Sequence, residues 1–116
     1  CVTGYDGKTV SFVAEERGRI TGYISGSIKH CGLACLSVVG VDPDIASKGI
    51  GTALMKKLED FCHRNKMRKI YTCVSAHNTK AMIYYIKNGF IPEGCQRDHF
   101  IEGVDEILLG KFLNEQ

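Results

Sequence analysis

Between Val39 and Leu58 the sequence leaves an apolar run at Asp42-Pro43, crosses a short polar loop, and enters an amphipathic stretch opened by Gly49 and Gly51. A strand, a loop, a glycine pair and a helix in that order build a place for an anion. The first backbone N–H groups of a helix have no intrahelical partner, and the helix dipole adds partial positive charge there. Glycine lets a phosphate approach the main chain, because no Cβ stands in the way. The expected ligand is a phosphate-bearing cofactor held by backbone groups.

The common nucleotide patterns do not fit this stretch. A P-loop needs G-x-x-x-x-G-K-[ST], and a dinucleotide fingerprint needs a third glycine three residues after the second. That third place is Leu54 here, and Thr52 has no lysine before it. A G-x-G pair by itself also suits a tight turn packed for its own sake, so the rest of the chain has to decide.

Periodicity supplies the elements. Val10, Phe12 and Ala14 alternate with Ser11, Val13 and Glu15, Arg17-Gly18-Arg19 reads as a turn, and Ile20, Gly22, Ile24, Gly26 and Ile28 recur with period two. These predict a hairpin with one half-buried face. Leu33 to Val41 reads as a central strand. Ile50, Leu54, Leu58 and Phe61 form one helical stripe opposite Lys56, Lys57 and Asp60, ending near Asn65 to Met67. Lys69 to Ser75 is strand-like. Asn78 is a good N-cap for a second helix of about ten residues, which stops at Asn88-Gly89. Strands then start at Phe90 and run from Asp105 to Leu113, with Gly103 in the turn between. The predicted order is β-β-β-α-β-α-β-β, an α/β (α+β) domain with a mixed sheet.

Residues 39 to 90 resemble the GNAT family of acyl-coenzyme A N-acyltransferases. The first family motif, V-x-P-x-x-[QR]-x-x-G-x-[GA], is met by Val41, Pro43, Gly49 and Gly51. The second, roughly N-x-x-A-x-x-x-Y-x-x-x-G-F, is met in step by Asn78, Ala81, Tyr85, Gly89 and Phe90. Two motifs in the right order, one helix and one strand apart, are far more specific than either alone. One place departs: where the family has Gln or Arg, this chain has Ala46, which predicts a weakened phosphate loop and not an abolished one. The resemblance implies a largely antiparallel central sheet flanked by helices. Against that pattern residues 1–116 read as a single domain without the opening strand and the first two helices that usually wall the acceptor cleft: either the sequence is N-terminally incomplete, or the acceptor side is unusually open, or a partner subunit covers it.

The resemblance also implies acetyl-coenzyme A as cosubstrate, with no metal. Val39 and Val41 would offer main-chain groups to the pantetheine arm, and Ser47, Lys48, Gly49, Ile50, Gly51 and Thr52 would cradle the pyrophosphate. Asn78 divides between a cofactor contact and a simple helix cap. Tyr85, at the place of the family's tyrosine, would protonate the departing thiolate, while the bland alternative is an aromatic on a buried helix face. A phenol of pKa about 10 can serve a thiol of about 8.5 only if held close to the sulfur. No general base is readable. Cys35, Ser37 and Cys73 occupy the neighbourhood where family members often carry a Glu; His30, His77, Asp98, His99 or a water chain are the substitutes considered.

Composition narrows the function classes. A formal charge of +2 without a basic cluster argues against a nucleic-acid partner, and no apolar run is long enough to span a bilayer. Six scattered cysteines lack the spacing of a secreted disulfide framework and suit a cytoplasmic protein, with Cys35 and Cys73 expected in the core. The four-residue spacings Cys31–Cys35 and Cys73–His77 do not make a zinc site, since ligands four apart on a strand lie about 13 Å from each other. The reading is an N-acetyltransferase acting on a primary amine of a protein or small molecule, with room for a homodimer. The alternatives are a non-catalytic coenzyme A sensor, or a fragment whose partner completes the acceptor site.

Overall fold

The structure, a computed structural model, describes residues 2–113; side chains are described for 4–45 and 49–113. Seven strands and two α-helices follow the order β1 (Val2–Tyr5), β2 (Thr9–Glu16), β3 (Arg19–Ile28), β4 (Leu33–Val41), α1 (Ile50–Arg64), β5 (Lys69–Ser75), α2 (Thr79–Lys87), β6 (Ile91–Ile101) and β7 (Val104–Phe112). They make one sheet in the order β1-β2-β3-β4-β5-β7-β6, antiparallel except where β4 meets β5. This is the mixed, largely antiparallel α+β sheet with flanking helices that the sequence predicts.

The sheet carries one strand more than expected. Val2–Tyr5 pairs antiparallel with Val10–Val13 at the edge, so an opening strand is present after all. Four residues including Gly4 show too little alternation to be read as a strand alone, and the pairing comes from the Asp6-Gly7 turn. There the Asp6 carboxylate accepts from the N–H groups of Lys8 and Thr9, at 2.9 and 2.8 Å. No α-helix precedes α1 among the described residues.

α1 packs across β2, β3 and β4 through Leu54, Met55, Leu58 and Cys62, all buried. Its close seat requires glycine on β3. A Cβ at Gly22 would stand 2.9 Å from both Ile50 Cγ2 and Leu54 Cδ1, and one at Gly26 would stand 3.2 Å from the Cys35 carbonyl oxygen. The period-two reading of β3 therefore has a packing cause: its glycines alternate with Ile24 on the face that receives the helix. The pattern breaks at its start, where a register shift makes Thr21 the extra residue. Thr21 is buried, with its hydroxyl on the Ala14 carbonyl, and Ile20 is turned out to 60% exposure.

α2 is short and is held at both ends. Asn78 Oδ1 accepts from the Ala81 N–H at 3.1 Å, and Lys111 Nζ donates to the Asn88 carbonyl at 2.7 Å while pairing with Glu59 of α1. Tyr85 is its single buried residue. Among the described residues no helix is long and apolar enough to cross a membrane.

The seat of α1 on β3 gives the first prediction. Gly22→Val should destabilise the protein by about 1–3 kcal/mol, the usual penalty for forcing bulk into a packed site. Gly4→Ala, with nothing within 4 Å of the added carbon, should be close to neutral. Urea midpoints of the two variants make the comparison.

Candidate active site

β4 and β5 begin side by side and then part. Only Leu33, Ala34 and Cys35 pair with Lys69, Ile70 and Tyr71, although both strands continue for several residues. Two features open this fork. A register shift against β3 leaves Ser37 as an extra residue in β4, and such bulges sharpen local twist. At the next position on β5, the Thr72 hydroxyl donates to the Leu36 carbonyl at 3.0 Å, so a side chain stands where a ladder bond would run.

Beyond the fork one edge of β4 has no strand partner. The Asp42 N–H donates to the Thr21 carbonyl of β3 at 2.8 Å. Main-chain groups alternate sides along a strand, so those of Gly40 also face β3, and those of Val39 and Val41 face the gap. The free edge leads into a groove of about 320 Å³ between β4, the start of α1 and the start of α2. Val39, Gly40 and Val41 form one wall, Gly51 the end, and Asn78, Lys80, Ala81 and Tyr84 the other wall.

The loop before α1 is more ordered than a plain polar connection. Pro43–Lys48 forms two short 3₁₀ turns joined by a kink at Ile45, the first capped by Asp42, whose carboxylate accepts from the Asp44 N–H and pairs with Arg19. Gly49 adopts φ 76°, a left-handed backbone that suits glycine, and it leads directly into α1. The first intrahelical bond runs from the Ala53 N–H to the Gly49 carbonyl, so the N–H groups of Ile50, Gly51 and Thr52 precede the ladder. The side chains of Ser47 and Lys48 lie outside the described residues.

Of the residues singled out in the sequence, Val39, Val41, Gly51 and Asn78 meet in the groove, while Gly49, Ile50 and Thr52 adjoin Gly51 along the chain. Asn78 spends its oxygen on capping α2 and still lines the groove. Gly51 needs its missing side chain for a reason the sequence did not show. A Cβ there would lie 3.1 Å from the ring of Tyr84, whose hydroxyl donates to the Gly51 carbonyl at 2.8 Å. Tyr84 thus ties α2 to the first turn of α1. Its signal was available in the spacing Asn78, Ala81, Tyr84, three residues apart on one helical face.

Tyr85 is not a groove residue. It is buried at the fork, its ring edge-on to Tyr84 at 5.3 Å and to Phe90 at 5.4 Å. Burial holds its phenol above the ordinary tyrosine pKa, the Thr72 hydroxyl opposes this, and Cys73 and Cys35 add to the rise. Burial likewise raises the Tyr84 phenol and the Cys73 thiol, the latter with help from Glu106 and Cys35. Near neutral pH these groups keep their protons. The phenols are donors, and Cys73 is a poor nucleophile.

The cysteine expectation is corrected on one point. Cys35 is half-buried and Cys73 exposed, on the sheet face away from α1; the core thiol is Cys62, pushed up to about 12 by burial and by Glu59. The period-two pattern placed Cys35 and Cys73 on strands but could not say which face carried the helices. Among the described residues no three His, Cys, Asp or Glu side chains gather as metal ligands.

A sequence profile described as "Acetyltransferase (GNAT) family" matches residues 3–90. An uncharacterised N-acetyltransferase of Methanocaldococcus jannaschii is 32% identical over 101 residues, 86% of this chain and 64% of its own length. Over four curated relatives the chain spans between 35% and 71% of their lengths. Among solved structures, the ribosomal-protein-S18-alanine N-acetyltransferase from Escherichia coli superposes with TM-score 0.84 at 21% identity, over 97% of this chain and 74% of that one. An aminoglycoside 6'-N-acetyltransferase complexed with coenzyme A gives 0.86 at 14% identity, over 96% and 76%. With three quarters of its length matched by the family profile and the fold shared, this chain belongs to the GNAT acetyltransferase family.

Proposed function

We propose that the protein transfers an acetyl group from acetyl-coenzyme A directly to a primary amine. The observation that carries this reading is the free edge of β4, which runs from the fork at Leu36 to the first turn of α1 in a chain of this family. An extended arm of amides can pair with the main chain of Val39 and Val41 as an added strand would. At its far end the N–H groups of Ile50, Gly51 and Thr52, with the loop from Ser47 through Gly49, suit a pyrophosphate. The Lys80 side chain on the groove wall adds positive charge. Ala46 removes one side-chain contribution without touching these backbone donors.

At the fork Tyr85 supplies a proton. In the transfer the amine nitrogen bonds to the acyl carbon, the carbon–sulfur bond breaks, and the thiolate takes the phenolic proton. The raised pKa of the phenol keeps that proton in place until a base as close as the thiolate is formed. A relay through Cys73 is disfavoured by its own raised pKa, because the thiolate is the nucleophile. The free thiols Cys31, Cys35, Cys62, Cys73 and Cys95 suit a reducing compartment such as the cytoplasm. The amine is left open between a protein and a small molecule.

Two measurements test the reading. Acetyl-coenzyme A at about one hundred times its dissociation constant should stabilise the fold by roughly 2.7 kcal/mol, seen as a rise in melting temperature. No shift at millimolar concentration would count against the groove as the coenzyme site.

Tyr85→Phe should cost on the order of 10²-fold in kcat, the lower end of acid–base contributions, with coenzyme affinity little changed. Tyr84→Phe should do the reverse, weakening coenzyme binding and stability through loss of its bond to Gly51. Thiol release assayed over a panel of amines reads the first effect, and calorimetry the second. Coenzyme binding without turnover on any amine would favour the sensor reading.

A further inference from the structure

Thr72 is a polar residue in an apolar row. On the helix face of β5 it stands between Ile70 and Val74, with Leu109 opposite it on β7, and all four are buried. Valine has nearly the same shape, suits a strand as well and has no polar group to bury, whereas a buried hydroxyl costs free energy unless it is hydrogen-bonded. One reason for threonine is its bond at 3.0 Å to the Leu36 carbonyl, just past the last pair between β4 and β5. Its oxygen has a second hydrogen-bonding neighbour, the phenol of Tyr85 on α2.

A threonine hydroxyl has one proton to give and two lone pairs with which to accept. While that proton lies on the Leu36 carbonyl, Thr72 can only accept, so the phenolic hydrogen of Tyr85 is the one directed at Thr72. Phenol, hydroxyl and carbonyl then form a chain that runs in one direction. The order reverses once Tyr85 has lost its proton. A phenolate is a stronger acceptor than an amide carbonyl, because bonds to a charged group are roughly twice as strong as neutral ones. A turn about the Cβ–Oγ1 bond moves the threonine hydrogen from one to the other without moving a heavy atom. Burial is the largest influence on the phenol and disfavours its charged form, and Thr72 is the group that opposes it.

We propose that Thr72 is the positioning residue for Tyr85 in the transfer proposed above, on which this inference rests. Before transfer its oxygen receives the phenolic hydrogen and fixes the hydroxyl of Tyr85 at the fork. As the carbon–sulfur bond breaks, the phenolic hydrogen passes to the sulfur. The threonine hydrogen turns from the Leu36 carbonyl to the oxygen left behind, and Thr72 itself neither gains nor loses a proton. The acylated nitrogen sheds its extra proton to water, and water restores the phenol.

The test is a coupling cycle on the full chain, using Thr72→Val, Thr72→Ser, Tyr85→Phe and the double variant Thr72→Val with Tyr85→Phe. Urea midpoints check that each is folded, and Thr72→Ala replaces Thr72→Val in the cycle if valine prevents folding. Wild type is first assayed with acetyl-coenzyme A for thiol release on a polyamine, a peptide with a free N-terminus and an N-blocked peptide bearing lysine. With the best acceptor, Thr72→Val should lose about 10-fold or more in kcat, the size expected for a hydrogen bond to a charged group, with KM for the coenzyme little changed. Thr72→Ser keeps the hydroxyl and should restore most of that rate. The double variant should be no slower than Tyr85→Phe, since no phenolate then forms for Thr72 to hold. A role in propping the fork alone would slow Thr72→Ser as much as Thr72→Val, or multiply the two losses in the double variant. Either result overturns the proposal. An unchanged Thr72→Val beside a slow Tyr85→Phe removes Thr72 alone and leaves the transferase reading in place. Coenzyme binding with no transfer to any amine by wild type removes the enzymatic reading and this inference with it.

Discussion

α1 lies against β3 so closely that Gly22 has no room for a side chain and Leu58 reaches within 3.4 Å of where a Cβ at Gly26 would stand, and much else follows from that contact. The helix is the crossover between β4 and β5, the only parallel neighbours in the sheet. Its seat therefore sets where β4 must end and where β5 can begin. Held down at Ile50, Leu54 and Leu58, the helix directs its first turn back over the end of β4. The left-handed Gly49 makes the short turn that this requires. The groove and the fork are consequences of packing, present before any ligand arrives.

A second set of contacts fixes α2 relative to α1. Tyr84 reaches the Gly51 carbonyl, and Lys111 of β7 joins Glu59 of α1 to the end of α2 at Asn88. Neither contact is worth much alone, since a neutral hydrogen bond nets about 1 kcal/mol and a partly exposed ion pair about as much or less. Together they hold both ends of a nine-residue helix that buries a single side chain. Tyr85 owes its position to them as much as to its own packing against Phe90.

The sequence showed most of this fold because its strongest signals are local. The alternation in β2, the stripe of α1, the Asn78 cap and the Asn88-Gly89 stop each depend on residues within one element. What it hid depends on contacts between elements. β1 is too short to show a period and exists because the Asp6 turn folds it onto β2. The bulge at Thr21 turns Ile20 outward against the pattern. At the site, the glycines and Tyr85 were legible from two motifs, whereas the tie from Tyr84 to Gly51 and the hydroxyl of Thr72 on Leu36 join residues 33 and 36 positions apart.

The free edge of β4 has one more consequence. Unpaired strand edges invite neighbouring chains to add on, and proteins usually blunt them with charge, proline or a covering loop. Here the edge is inside the sheet, with β3 bonded on one side and β5 closing the gap at the fork. A passing polypeptide strand, with side chains on both faces and two neighbours of its own to satisfy, has no room to enter. The same geometry that offers backbone bonds therefore acts as a sieve against aggregation, and the sheet keeps an open ladder without the usual risk of doing so.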